Sequence, residues 1–240
     1  MKLETNLFKK FVDIVGINKD GFDATLENGT LMCNVINNDR NTVVVTELVG
    51  INSGETMNLR MHRDMIQKVL RSLGGKEIDF AASDEIVTIT DGKTTLYVPQ
   101  LLKVITEKTI KPLPKNSWEP EATISFNSSD IKHIIKVAEN TGVLVVRFVI
   151  TQKGVTVFLR QSANIKDFGH VTAYNSAEEK IEIAFHLGQI KDSFENIEGI
   201  INLNVGKLVG NSRPPSSFTH SSMGFLVSGL LSEWKEKNDS

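Results

Sequence analysis

The residues best placed to do chemistry in this chain are basic, and they recur on stretches with helical spacing. Arg63, Lys68 and Arg71 share one stretch, with Arg60 just before it and Lys76 just after. Lys132, His133 and Lys136 share a second, and Lys9 and Lys10 a third. A fourth stretch offers only Lys191, beside Asp192 and Glu195. Basic side chains grouped on one solvent face neutralise phosphates without reading bases, which gives salt-sensitive, sequence-independent attachment to a polyanion. An ordinary solvated helix face is the simpler account of any one group. The same bias on three stretches of four brings the two accounts level.

Covalent chemistry has little support. A hydrolytic site needs a nucleophile, a base and an orienting group brought together. Neither a G-x-S-x-G elbow nor a phosphate-cradling G-x-x-x-x-G-K loop occurs. His62, His133, His170, His186 and His220 are scattered without an i, i+4 pair, so no zinc site is expected. The acid pairs Asp84-Glu85 and Glu178-Glu179 fall at turns, where solvated loops explain them. Cys33 is the single cysteine, which rules out intramolecular disulfides and thiolate-rich metal sites. It lies in a strand-like run and reads as a small buried residue. The expectation is a protein that is not an enzyme and uses no cofactor and no metal.

The formal charge is -2, with 27 basic residues against 29 acidic ones, so a basic face can coexist with a mildly acidic exterior. Apolar residues make up 40% of the chain, enough to bury a core. The opening MKLETNLFKKF is amphipathic and lacks the apolar core of a signal peptide. No uninterrupted apolar run reaches membrane-spanning length. These features predict a cytoplasmic protein (host cytoplasm if viral) with no membrane partner.

Four helices must position the basic groups. Leu7, Phe8, Phe11, Val12 and Val15 recur at helical spacing, with Lys9, Lys10 and Asp13 opposite them and Gly16 as terminator. Strands are predicted over Phe22–Leu26, Thr30–Ile36 and Thr42–Leu48, with Asn28-Gly29 as a tight hairpin turn. A short extended piece, Met57–Met61, leads into a second helix over His62–Leu73, and Gly74-Gly75 closes it. Three strands follow at Glu77–Ala81, Glu85–Thr90 and Thr94–Val98. The pattern then restarts. A strand over Thr123–Phe126 runs into a helix capped by Asn127 or Ser128, which buries Ile131, Ile134, Ile135 and Ala138. Strands over Val143–Ile150, Val155–Gln161, Phe168–Tyr174 and Lys180–Phe185 precede a weaker fourth helix carrying Leu187, Ile190, Phe194 and Ile197. The last strands are Gly199–Val205, Ser217–Ser222 and Gly224–Leu230. Helix starts near Leu3, His62, Asn127 and Phe185 repeat at about sixty residues, a period that marks repeated supersecondary units.

Between the halves lies the clearest boundary. Pro99, Pro112, Pro114 and Pro120 are four of the six prolines, and KPLPKNSWEPE reads as an extended linker. The chain therefore divides into an N-terminal domain over 1–98, a linker over 99–120 and a C-terminal domain over 121–240. The fold class is α+β: two similar domains, each with two helices on antiparallel sheets.

Two such halves joined by a long linker resemble the sliding clamps that tether DNA polymerases, of the two-domain, proliferating cell nuclear antigen-like kind. LFKKFVDIVGI is similar to their first pore-lining helix. ITDGKTTLYVP followed by KPLPKNSWEPEATISFNSSDIKHIIKVAE resembles their end-of-domain strand, linker and third helix, closest to the clamps of tailed bacteriophages. The resemblance spans nearly the whole chain and rests on pattern. It implies the DNA clamp fold and a processivity factor: a homotrimer closing a ring of six similar domains around duplex DNA, loaded by a clamp loader and holding the polymerase. It also implies that Lys9, Lys10, Arg63, Lys68, Arg71, Lys132, Lys136 and Lys191 face the DNA. Partner peptides would dock in an apolar pocket near Leu101, Leu102, Ile105, Trp118, Leu230 and Leu231; simple packing of the linker onto the sheets accounts for each of these as well. The competing reading is a β-rich phage structural or assembly protein that does not encircle DNA, which leaves the repeated basic faces unexplained.

Overall fold

Asn28-Gly29 sets the first hairpin: both residues take positive φ, 50° and 74°, the combination a two-residue turn needs and that glycine and asparagine best tolerate. The computed structural model describes residues 2–16, 20–36, 42–51, 56–102, 120–194, 197–207, 216–220 and 225–229. The chain divides into two compact units, Met1–Pro114 with Ser222–Leu226, and Lys115–Ser221 with Val227–Ser240.

The first unit runs β1 (Lys2–Glu4), α1 (Thr5–Val15), β2 (Phe22–Glu27), β3 (Thr30–Ile36), β4 (Thr42–Leu48) and β5 (Met57–Met61). It continues with α2 (Arg63–Ser72), β6 (Glu77–Ala82), β7 (Ile86–Thr90) and β8 (Thr95–Pro99). Its strands pair antiparallel in the orders β1-β6-β7-β8 and β4-β3-β2-β5. Alternation explains the division of faces: Phe22, Ala24 and Leu26 of β2 are buried while Asp23 and Thr25 are not fully so. Helix α1 spans the two sheets with two rings. Phe8 meets Phe80 of β6 edge-on at 4.6 Å between centroids, and Phe11 meets Phe22 of β2 at 6.2 Å.

The second unit repeats the plan: β9 (Pro120–Asn127), α3 (Ser128–Thr141), β10 (Val145–Thr151), β11 (Gly154–Leu159), β12 (Ala163–Ile165) and β13 (His170–Tyr174). Then come β14 (Ile181–His186), α4 (Leu187–Phe194), β15 (Ile200–Gly206) and β16 (Ser216–His220); β17 (Phe225–Gly229) ends the described chain. The order β12-β11-β10-β14 matches β4-β3-β2-β5, and β9-β15-β16 matches β1-β6-β7. Strand β13 pairs with the other edge of β9, and among the described residues it has no counterpart on β1. A run of phenylalanines makes this core: Phe126 on Phe168, Phe168 on Phe148, Phe148 on Phe185, Phe185 on Phe218, and Phe218 on Phe194, with centroids 4.7 to 5.8 Å apart.

Most elements lie within a residue or two of the sequence expectation, and two strands are additional. β1 occupies residues where the helical pattern already begins, because Lys2, Leu3 and Glu4 pair with Asp79, Ile78 and Glu77 before α1 starts. β12 has three residues, too few for alternation to show. At the two ends of the expected linker, Pro99 is the last residue of β8 and Pro120 the first of β9, strand-end positions where a missing N–H is tolerated. Residues 103–119 fall outside the described ones.

Asp91, between β7 and β8, organises the turn after α2. Its carboxylate accepts backbone N–H bonds from Gly74 at 3.0 Å, Gly75 at 3.2 Å, Lys93 at 3.0 Å and Thr94 at 2.8 Å. Those of Thr94 and Lys93, then Gly74 and Gly75, hold its pKa below the usual carboxylate value. A folded-state pKa below the unfolded one contributes stability above about pH 4 that is lost as pH falls through the folded value. Asp91→Asn is therefore expected to lower the Tm near pH 7. Thermal melts should show the gap from wild type closing on acidification; a gap that persists at the acid end would remove the charge from this account.

Candidate nucleic-acid interface

Each basic group is placed by the apolar face behind it. Helix α1 buries Phe8, Phe11, Val12, Ile14 and Val15, which leaves Lys9 and Lys10 exposed. Helix α2 buries Ile66 and Leu70, with Lys68 and Arg71 exposed. Two contacts set the register of this pair. Gln67 Nε2 donates to Asp13 Oδ1 at 3.2 Å, and the Arg63 stem lies against Gly16. Residue numbers rise on one helix as they fall on the other, so α1 and α2 run antiparallel. At 1.5 Å of rise per residue, Lys9 and Lys10 stand level with Arg71, roughly 10 Å along the axes from Arg63. The unit thus carries cations at both ends of its helix pair.

In the second unit, α3 buries Ile131, Ile134, Ile135 and Ala138. Lys136 and His133 are exposed and Lys132 is half-buried. The Asn127 N–H donates to Asp130 Oδ2 at 3.1 Å, and Gly142 closes the helix in the left-handed region at φ 69°. Lys191, expected among the DNA-facing lysines, is engaged by a carboxylate. Helix α4 packs beside α3, and the Lys191 ammonium donates to Glu139 Oε1 at 2.6 Å. With both side chains about two-fifths exposed (41% and 44%), such a pair is worth about 0–1 kcal/mol, so a phosphate could displace the carboxylate cheaply.

Of the expected peptide-pocket residues, Leu101 and Leu102 are described. Leu101 is half-buried, and its N–H donates to the Arg60 carbonyl at 3.0 Å. Leu102 is 91% exposed. Ile105, Trp118, Leu230 and Leu231 lie outside the described residues.

The sequence gives no sign of Gln100, which stands where a polar linker is expected to begin. It is nearly buried and ties three segments of the first unit together. Its Oε1 accepts from the Arg60 N–H at 2.7 Å, while its Nε2 donates to the carbonyls of Ser83 at 2.5 Å and Asn58 at 3.3 Å. Gln100 also lines a cleft of about 620 Å³ with Asp23, Thr25, Asn58, Arg60 and Asp84. Only the buried setting, not the spacing, marks this residue.

The Cys33 thiol donates to the Asp23 carbonyl at 3.1 Å, and burial, with the Asp23 charge adding, pushes its pKa up and away from thiolate chemistry. Among the described residues no group of three or more His, Cys, Asp or Glu side chains could hold a metal ion. Among them, too, no helix is long and apolar enough to cross a membrane.

No protein-family profile matches the chain, and no curated protein matches it by sequence. Solved structures do match by shape. The proliferating cell nuclear antigen of A. fulgidus, solved with the C-terminal region of FEN-1, superposes with a TM-score of 0.75 at 13% identity, covering 98% of both chains. The DNA polymerase beta subunit of Streptococcus pyogenes gives a TM-score of 0.74 at 11% identity, over 98% of this chain and 66% of that one. The Helicobacter pylori beta clamp, bound to a DNA ligase peptide, gives 0.68 at 10% identity, over 98% of this chain and 67% of its own. The chain thus spans about two thirds of the bacterial beta subunits and nearly all of the archaeal antigen. It has the fold of the DNA polymerase sliding clamps.

Proposed function

We propose that the chain is a DNA polymerase processivity factor, a scaffold that encircles duplex DNA as a homotrimer and slides on it by non-specific electrostatic contacts. The observation that carries this reading is the match over 98% of this chain and 98% of a two-domain clamp. A chain of that length supplies two clamp domains, here taken as 1–98 and 121–240 with 99–120 between them, so three copies give six. The basic faces of α1, α2 and α3 support the same reading: Lys9, Lys10, Arg63, Lys68, Arg71, Lys132 and Lys136 would meet phosphates, joined by Lys191 when it leaves Glu139. A polymerase and other replication proteins would dock peptides against Leu101, Leu102, Ile105, Trp118, Leu230 and Leu231, and a loader would open the ring. The linker pattern favours a tailed-bacteriophage source.

Topology gives the test. Protein loaded onto a nicked circular plasmid by its clamp loader is expected to stay through gel filtration and to run off once the plasmid is linearised. Equal retention on both templates would overturn encirclement and favour simple surface binding.

A further inference from the structure

Gly16 ends α1 with φ −72° and ψ 13°, a negative-φ conformation near the bridge region that non-glycine residues also adopt. The backbone does not ask for glycine here, but space does. A Cβ at this position would stand 2.9 Å from Arg63 Nε and 3.3 Å from Arg63 Cδ, as well as 2.9 Å from the Val12 carbonyl oxygen. Arg63 opens α2, so its stem crosses the bare Cα of residue 16 at the close of α1. Its Nε is buried there and makes no hydrogen bond among the described residues. An N–H held dry without an acceptor costs stability, and a stem packed across a helix end has lost much of its rotamer freedom before any ligand arrives. Lys9 and Lys68, by contrast, are exposed.

We propose that Gly16 is a positioning residue for Arg63: the missing side chain opens a channel that holds the guanidinium as a preorganised phosphate contact at one end of the α1–α2 face. This rests on the nucleic-acid reading of that face. An arginine fixed in advance loses less freedom on binding than a mobile lysine, so it contributes more per contact. Filling the channel should then displace Arg63 and also press on the Val12 carbonyl, so its effect on DNA binding is read apart from its effect on stability.

The test is a double-mutant cycle on the full chain with a fluorescent duplex as probe, with dissociation constants measured across a KCl series. Arg63→Ala is expected to weaken binding roughly fivefold to tenfold and to reduce the salt slope by about one phosphate contact. Gly16→Ala should reproduce both effects, and the double variant should be no worse than either single one. A merely structural role for Gly16 would lower the Tm and leave the salt slope in place. Additive losses, or an unchanged slope in Arg63→Ala, would overturn the proposal. Lys68→Glu with Arg71→Glu separates the two levels. If wild type shows no salt-dependent binding, or that pair changes nothing, the nucleic-acid face itself is wrong. If the pair weakens binding while Gly16→Ala and Arg63→Ala do not, only the positioning role falls.

Discussion

Lys68→Glu combined with Arg71→Glu is expected to leave the fold intact and to abolish most processive synthesis. Both side chains are exposed on α2, away from Ile66 and Leu70, so reversing them disturbs no packing. Surface substitutions of this kind usually shift stability by no more than about 0.5 kcal/mol. On the proposed DNA face their electrostatic effect is large, because two attractive charges would become two repulsive ones beside the phosphates. Each lost phosphate contact lowers the salt slope by about 0.9, and the reversal should weaken duplex binding roughly tenfold or more at low salt. Product length on a primed circular template, with circular dichroism as the control for folding, reads the result. Full-length products at wild-type yield would remove both residues from the DNA face.

The largest stability effect belongs to Phe148. It is fully buried on β10 and stacks edge-on against Phe168 at 5.6 Å and Phe185 at 5.8 Å, at the middle of the second unit's aromatic run. Phe148→Ala removes two ring contacts and leaves a cavity that neighbouring rings cannot fill without leaving their rotamers. The expected cost is about 3–5 kcal/mol. Because units can unfold separately, the loss should be read from fluorescence or NMR probes within 120–207 and not from a global melt alone. A loss below about 1 kcal/mol would mean the rings slide together to fill the space.

Periodicity carried most of the fold. Phe8, Phe11 and Val12 on α1, and Ile131, Ile134 and Ile135 on α3, bury the faces their spacing predicts, since burial acts residue by residue along a helix. Asn28-Gly29 forms its turn because only a few residue types tolerate positive φ. What depends on distant partners stayed hidden. β1 exists because β6 lies beside it, and three residues carry no pattern of their own. On the basic faces, residue type showed where Lys9, Lys68 and Lys136 would be exposed, but it could not show that Glu139 takes up Lys191 or that Gly16 makes room for Arg63. Both depend on which helix packs beside which. Gln100 was illegible for a further reason: a lone polar residue beside a proline looks the same whether it is solvated or bonded on every side.

That glutamine makes one junction unusually dependent on heredity. Along the strand ladders the pairing runs through main-chain groups, which every codon except proline's encodes equally well. Where β5, the Ser83 turn and the chain leaving β8 meet, a side-chain amide does the joining, donating to two carbonyls and accepting from one N–H. A single-base change from Gln to Glu keeps the acceptor and turns the donor into a second acceptor, facing the carbonyls of Ser83 and Asn58. Two bonds become two repulsions while size and shape stay almost constant. Genetic drift that the neighbouring ladders would absorb silently is visible to selection at this position.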